Sequence, residues 1–334
     1  MAGVEKNKSR DAIVGVDIGG TKMMATVYDA DFNILGNCRK KSRGKSGNDS
    51  EKRVVKVIRE ALETAGSPTI SGIGVGSPGP LDPETGVIID TPNLGWKDFP
   101  LAALLRDAFG VPVVVDNDVN VGTYGEWRCT SLRSYRHVLG VFPGTGIGGG
   151  IIIDGKILHG FSGAAGEVGH ITIALDGPFC GCGKRGCLEA VASRVAIAKE
   201  AAALAARGDA PYILEQCGTD VNAIRSGVLA RAIEAGDQMV EAVVRKAAYL
   251  TGVGVGNLIN VLSPEAVVLG GGLVEAMEAL MLEEITRGAD EHAMPFLRKD
   301  VVITAAQLGD DAVVMGAAQL IVEHLASGKK GNGK

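Results

Sequence analysis

Glycine is distributed in this chain in a way that few folds accommodate. Of 334 residues 48 are glycine, about 14% against a usual ~7%. They gather in SGIGVGSPG (71–79), PGTGIGGG (143–150), SGAAGEVG (162–169), CGCGKRGC (180–187) and LGGGL (269–273). The clusters lack the three-residue period of collagen, so each marks a place where backbone must come close to something. Hydrophobic residues at 46% and charged residues at 22% are ordinary for a globular chain and exclude the disordered and fibrous classes. The net charge of −5 carries no chain-wide nucleic-acid footprint. MAGVEKNKSRD has no apolar core of a secretory signal, and no apolar run reaches the ~18 residues of a membrane span. The expectation is a cytoplasmic protein with neither a nucleic-acid nor a membrane partner.

At about 150 residues per domain the length predicts two domains, with one large domain as the alternative. AIVGVDIGG (12–20) and TKMMATVYD (21–29) have strand composition and are joined by a Gly-Gly turn. KKSRGKSGNDS (40–50) is polar, EKRVVKVIREALETAG (51–66) has helical spacing, TISGIGVGSPG (69–79) returns to strand, LAALLRDAFG (101–110) is a helix and VPVVVDND (111–118) a buried strand. This order indicates an α/β layered domain. HVLGVF (137–142), the PGTGIGGG turn and IIIDGKIL (151–158) then repeat the opening strand, glycine turn and strand, which reads as an internal duplication. Helices are expected over 191–208 and 228–262, a strand entering a glycine turn over 266–274, a strand over 301–307 and a closing helix over 310–326. The predicted division is a small N-terminal domain over 11–120, completed by helix 311–326, a large domain over 121–310 that carries the cysteine-rich loop 170–187, and a disordered tail over 327–334.

Two stretches match GxGxxG, Gly74-Gly76-Gly79 and Gly144-Gly146-Gly149, but neither opens a helix as a dinucleotide fingerprint must. The first runs into Pro80-Leu81-Asp82-Pro83 and the second into Ile151–Ile153, and a Walker GxxxxGK[ST] loop is absent. A different phosphate geometry remains. Two hairpins, DIGGTK (17–22) and PGTGIGGG, would expose backbone N–H groups to phosphates from both sides, with Thr21 and Thr145 as matching hydroxyls and Asp17 as a Mg²⁺ carboxylate.

From His170 to Cys187 the chain reads His-x9-Cys-x-Cys-x4-Cys, one imidazole and three thiolates (Cys180, Cys182, Cys187) within 18 residues. Four such ligands suit a closed tetrahedral zinc, structural because no position is left for water, and one that would tie Glu167 and Glu189 to a rigid scaffold. Cys38, Cys129 and Cys217 are expected as isolated buried thiols. VVVDNDVN (113–120) puts Asp116, Asn117, Asp118 and Asn120 at a strand's C-terminal end, where sites form in α/β folds. Asp118 is a candidate general base toward a hydroxyl, its bland alternative being a helix N-cap before Val119. With Asn93, Glu167, His170 and Glu189, the set is rich in acceptors and poor in cations, which suits a neutral polyol.

These residues resemble the ROK family of repressors and sugar kinases, especially its bacterial glucokinases. VDIGGTK (16–22), GVGSPGPLD (74–82), TPNLGW (91–96), DNDVN (116–120), GTGIGGGIIIDG (144–155), GAAGEVGH (163–170), CGCGKRGCLE (180–189) and VVLGGG (267–272) follow the family's order over residues 12–325. The resemblance implies an actin-like, ribonuclease H-like duplicated ATPase fold of two α/β domains with a central cleft. It implies transfer of the ATP γ-phosphate, with Mg²⁺, to the 6-hydroxyl of a hexose, glucose first. It assigns Asp118 as the base and Gly79, Asn93, Asn117, Asp118, Glu167, His170 and Glu189 to the sugar, with His170 also serving zinc. To the nucleotide it assigns Asp17, Gly19, Gly20, Thr21, Lys22, Gly144, Thr145 and Gly146, with Gly270, Gly271 and Gly272 on the nucleoside side. It also implies a homo-oligomer, a dimer or tetramer. Pro143 departs from the apolar residue, such as Leu, that family members often carry before Gly-Thr-Gly. The motifs do not encode the group at C2, so N-acetylmannosamine, N-acetylglucosamine, mannose and fructose stand as alternative substrates, and a non-catalytic sugar sensor as an alternative of another class. Repressors carry an N-terminal helix-turn-helix, whereas about eleven residues precede the first strand here, which disfavours a DNA-binding role.

Overall fold

The computed structural model describes residues 11–42, 50–91 and 94–331. Most of the polar 40–50 segment and the candidate sugar ligand Asn93 lie outside the described residues. The chain divides into two compact units. Unit 1 holds the described residues up to Cys129, His159–Ala164, and the chain from Asp310 onward; unit 2 holds Thr130–Leu158 and Ala165–Gly309.

Unit 1 begins with the hairpin β1 (Ala12–Ile18) and β2 (Lys22–Tyr28), continued by β3 (Ile34–Lys41), α1 (Ser50–Thr64) and β4 (Ile70–Ser77). A small antiparallel sheet follows, β5 (Leu81–Asp82), β6 (Val87–Thr91) and β7 (Trp96–Phe99), then α2 (Leu101–Phe109), β8 (Val113–Asn117) and α3 (Asp118–Cys129). The main sheet has the order β3-β2-β1-β4-β8, antiparallel through the first three strands and parallel from β1 to β8. β1 and β4 are central and nearly continuous in buried apolar residues. β3 is an edge strand of mixed composition, ILGNCRKK, and apolar patterning does not reveal it because only part of one face is buried.

Unit 2 contains β9 (Val138–Pro143), β10 (Ile147–Ile153), β11 (Lys156–Ile157), α4 (Leu188–Ala192), α5 (Arg194–Arg207), α6 (Pro211–Cys217), α7 (Ser226–Glu234) and α8 (Gln238–Leu262). β12 (Ala266–Leu269), α9 (Gly272–Ala276), α10 (Glu278–His292), α11 (Pro295–Arg298) and β13 (Val302–Ala305) complete it, and α12 (Ala312–Gly331) returns the chain to unit 1. The second sheet has the order β11-β10-β9-β12-β13, again two antiparallel steps followed by two parallel ones. Strand for strand the two sheets have the same plan, so the duplication read from the sequence is real and the fold is the actin-like one.

Four local expectations change. Gly148, Gly149 and Gly150 lie inside β10, paired with Phe142, Val141 and Gly140, so the turn is confined to Gly144–Gly146. The stretch 228–262 is two helices, because Gly236 takes a left-handed φ of 87° and Asp237 caps α8 by accepting a hydrogen bond from the Val240 N–H. The closing helix runs to Gly331, so 327–331 is helical rather than disordered; the Ser327 hydroxyl donates to the His324 carbonyl within the last turns. Cys38, Cys129 and Cys217 are half-buried rather than buried.

The glycines of β1 and β4 explain where α12 sits. A Cβ at Gly15 would overlap the Val314 carbonyl oxygen, and one at Gly74 the Ala317 carbonyl. Gly125 and Gly316 bring α3 and α12 equally close. The first GxGxxG match is therefore largely a helix-packing device, in which Gly74 and Gly76 face α12 rather than a ligand. No helix among the described residues is long and apolar enough to cross a membrane.

Candidate active site

In unit 1 the parallel strands β1, β4 and β8 end together. Asp17 lies opposite Gly76, Gly76 opposite Asp116, and Ser77 opposite Asn117. The loop after β4 brings Gly79 beside the Asn117 side-chain amide nitrogen, at a spacing where a Cβ would make ordinary contact. Asn117 Oδ1 accepts from the N–H groups of Val119 (2.9 Å) and Asn120 (3.2 Å), so Asn117 is a cap of α3 and its Nδ2 remains on the Gly79 side. Asp118 Oδ1 accepts from the same Val119 N–H at 2.9 Å, so both side chains cap α3 and Asn117 alone adds the bond to Asn120. Four of the predicted residues, Asp17, Gly79, Asn117 and Asp118, thus meet at one end of the sheet.

The electrostatics there are unusual. Burial, followed by the charge of Asp118, pushes Asp17 up to about 7. Two carboxylates without a bound cation raise each other's cost of ionisation, which is the environment a divalent cation relieves. Lys22 donates to Asp310 at 3.0 and 3.2 Å, and Arg39 donates to the same carboxylate at 2.9 Å. These two cations, Lys22 first, hold Asp310 below the usual carboxylate range. The β1–β2 turn is tight: the Gly19 N–H donates to the Lys22 carbonyl, and Ser42 bonds to the carbonyls of Gly19 and Thr21. Gly19 N–H is therefore spent within the hairpin and is not offered to a phosphate. Thr21 and Lys22 are exposed.

Unit 2 gathers the other predicted residues. The Gly144 N–H donates to the Gly146 carbonyl and closes that turn, leaving Thr145 exposed at its tip. A Cβ at Gly271 would press on the Pro143 carbonyl, and the Gly270 N–H donates to the Val141 carbonyl, so the Gly270–Gly272 turn lies against the Gly144–Gly146 turn. Gly272 opens α9 directly. Glu189 Oε2 accepts from the Ile147 N–H at 3.0 Å, and Gly146 has no room for a side chain because that carboxylate occupies the space. Glu167 and His170 flank a single turn, with Glu167 Oε2 at 3.9 Å from His170 Nε2.

Ligand atoms of His170, Cys180, Cys182 and Cys187 lie within 4.8 Å of one another. Two thiolates about 2.3 Å from one tetrahedral ion sit about 3.8 Å apart; Cys182 and Cys187 are 3.7 Å apart, and Cys180 is 3.6 Å from His170 Nδ1. Three sulfurs and one nitrogen at that spacing fit zinc. His170 faces the cluster with Nδ1 and leaves Nε2 on the Glu167 side, which reconciles its two predicted roles. The Cys180 thiol is also 3.9 Å from Glu189 Oε1, so the cluster borders the carboxylate that holds the glycine turn.

The structure adds residues that sequence patterning passed over. His159 donates from Nε2 to the buried Asp116 at 2.6 Å, and that hydrogen bond raises the His159 pKa against the effect of burial. Arg194 donates to Thr145 Oγ1 at 3.0 Å and from its backbone to the Gly144 carbonyl, bracing the turn from α5. Arg39 and Asp310 join Lys22 as described. None sits in a motif; each reaches its partner across a long sequence separation.

A family model described as the ROK family matches residues 13–324. The chain is 35% identical over 331 residues to a glucokinase of Halalkalibacterium halodurans, covering 96% of this chain and 97% of that protein. It is 30% identical over 339 residues to a xylose repressor of Caldicellulosiruptor bescii, covering 97% of this chain and 81% of the repressor. Among solved structures, a ROK family glucokinase from Streptomyces griseus in complex with glucose and AMPPNP matches with a TM-score of 0.79 at 32% identity, over 92% of this chain and 98% of that one.

Proposed function

The chain belongs to the ROK family, and from that premise we propose that it is an ATP-dependent hexose kinase that phosphorylates the 6-hydroxyl of glucose. The observation that carries the reading is the convergence of Asp17, Gly79, Asn117 and Asp118 at the carboxyl ends of β1, β4 and β8. Asp118 opens α3 and takes the hydroxyl proton, and Asn117 offers its Nδ2 to a sugar hydroxyl while its Oδ1 is held by the helix. Glu167, His170, Glu189 and Asn93 are the further hydroxyl ligands.

Asp17 is the carboxylate that meets the Mg²⁺ delivered with ATP, directly or through water. Its elevated pKa supports this, because a site that costs energy to ionise when empty gains most from a cation. Gly20, Thr21 and Lys22 of the β1–β2 turn, whose shape the Gly19 N–H fixes, are assigned to the phosphates with Thr145 and the Gly144–Gly146 turn, and Gly270–Gly272 to the nucleoside side. Phosphoryl transfer asks mainly for positioning and charge neutralisation, which such a set supplies. His170, Cys180, Cys182 and Cys187 hold zinc, which acts as a structural cross-link. A zinc ion held there would cross-link the loop and so fix the position of His170 and of Glu189, whose Oε2 accepts from the Ile147 N–H.

The test is ADP release by purified protein with Mg-ATP against glucose, mannose, fructose, N-acetylglucosamine and N-acetylmannosamine. A rate that rises strongly over the no-sugar control with glucose supports the full reading, and a rise with another sugar keeps the kinase and changes its substrate. Sugar binding without ADP release would move the protein to a sensing role, which its similarity to xylose repressors makes the specific alternative.

A further inference from the structure

We propose that His159 is a positioning residue for the Asn117–Asp118 pair, acting through Asp116; the proposal rests on the kinase reading above for its kinetic consequences. Asp116 has 6% of its side chain exposed. A carboxylate so enclosed is costly unless its oxygens are bonded. Its Oδ1 accepts from the Asn117 N–H at 2.7 Å and from Asn120 Nδ2 at 3.2 Å. Its Oδ2 accepts from His159 Nε2 at 2.6 Å.

Asp116 is therefore the hub that fixes the backbone of Asn117 and the side chain of Asn120, on either side of Asp118. The hub needs its second oxygen satisfied by a donor 43 residues away in the chain. His159 opens the short segment His159–Ala164, the stretch between β11 and Ala165 that belongs to unit 1. Without that donor the Asp116 carboxyl, left with an unpartnered buried oxygen, turns toward water, and the hydrogen bonds holding Asn117 and Asn120 are released. The base and its neighbour then keep their identity and lose their aim, and a displacement of about 1 Å can cost 10²-fold in rate.

His159→Asn and His159→Gln form the discriminating pair. Both are polar and suit a half-exposed position, but only the Gln amide reaches far enough to donate where Nε2 does. The expected result for His159→Asn is a kcat lowered about 10- to 100-fold and a raised KM for the sugar, with the KM for Mg-ATP within twofold of the parent. His159→Gln should recover most of the loss. Hydrogen exchange at the Asn117 amide is the readout independent of activity, and it should quicken at least tenfold in His159→Asn and stay near the parent in His159→Gln. If the parent phosphorylates no sugar, the kinase reading fails, and the exchange comparison still decides the positioning role. Equal exchange in parent and His159→Asn, or equal loss in the Asn and Gln variants, overturns the proposal.

Discussion

Asp17 has the clearest energetic signature of any residue in the site. Its pKa near 7 means that the folded chain binds this proton more tightly than the unfolded chain does. Between about pH 4 and pH 7 the unfolded state ionises while the folded state holds the proton, so stability falls as pH rises through that window. The penalty is complete above pH 7 and amounts to at most about 4 kcal/mol, at ~1.4 kcal/mol per pKa unit. Asp17→Asn should therefore raise the Tm of ligand-free, metal-free protein at pH 8 and raise it by less than half as much at pH 5, where only the first part of that window has been crossed. Thermal melts at the two pH values check this, and an equal change at both would refute the origin given for the shift. Asp17, Asn117 and Asp118 were legible as candidates because each sits where a buried apolar run ends in carboxylates or amides. His159, Arg194 and Asp310 were not, because a lone polar residue outside a pattern acquires meaning only from the partner that folding brings to it.

Elements show the same division between local and long-range information. The His/Cys cluster was legible whole, since all four side chains fall between His170 and Cys187 and their spacing alone predicts that they meet. Cys182→Ser should reduce zinc content measured by elemental analysis and loosen the loop, and undiminished metal would contradict the ligand set. The glycines of β1 and β4 were legible only as close approaches, not as approaches to α12, because the helix that fills the space lies more than 200 residues further along the chain. Gly15→Ala should destabilise by about 1–3 kcal/mol or more, since the clash is with backbone that cannot rotate away. Gly328→Ala, on the same helix with open space around it, should be neutral or stabilising by up to about 1 kcal/mol. Urea unfolding of the two variants side by side tests the packing argument. β3 and the small β5–β7 sheet escaped the reading because short or edge strands bury too little to leave a periodic signal.

At the scale of the whole molecule, the repeated order of strands means that two glycine turns, one after β1 and one after β9, occupy equivalent places in their sheets. The chain has diverged around that common plan. Unit 1 carries the carboxylates Asp17 and Asp118, while unit 2 carries the His/Cys cluster, Glu189 and a further glycine turn, Gly270–Gly272, after β12. The duplication was readable because strand, glycine turn and strand recur in sequence; its full extent, through β13, required the sheets. In the proposed reaction Asp118 serves phosphoryl transfer to a hexose hydroxyl. The most direct measurement is phosphorus NMR of the products formed from glucose and Mg-ATP by the parent protein and by Asp118→Asn. The expected result is a phosphomonoester at carbon 6 with the parent, its formation slowed by about 10²- to 10⁴-fold in the variant, and glucose affinity kept within about tenfold. ADP accompanied by inorganic phosphate and no sugar phosphate, or equal sugar phosphorylation by both proteins, would overturn that assignment.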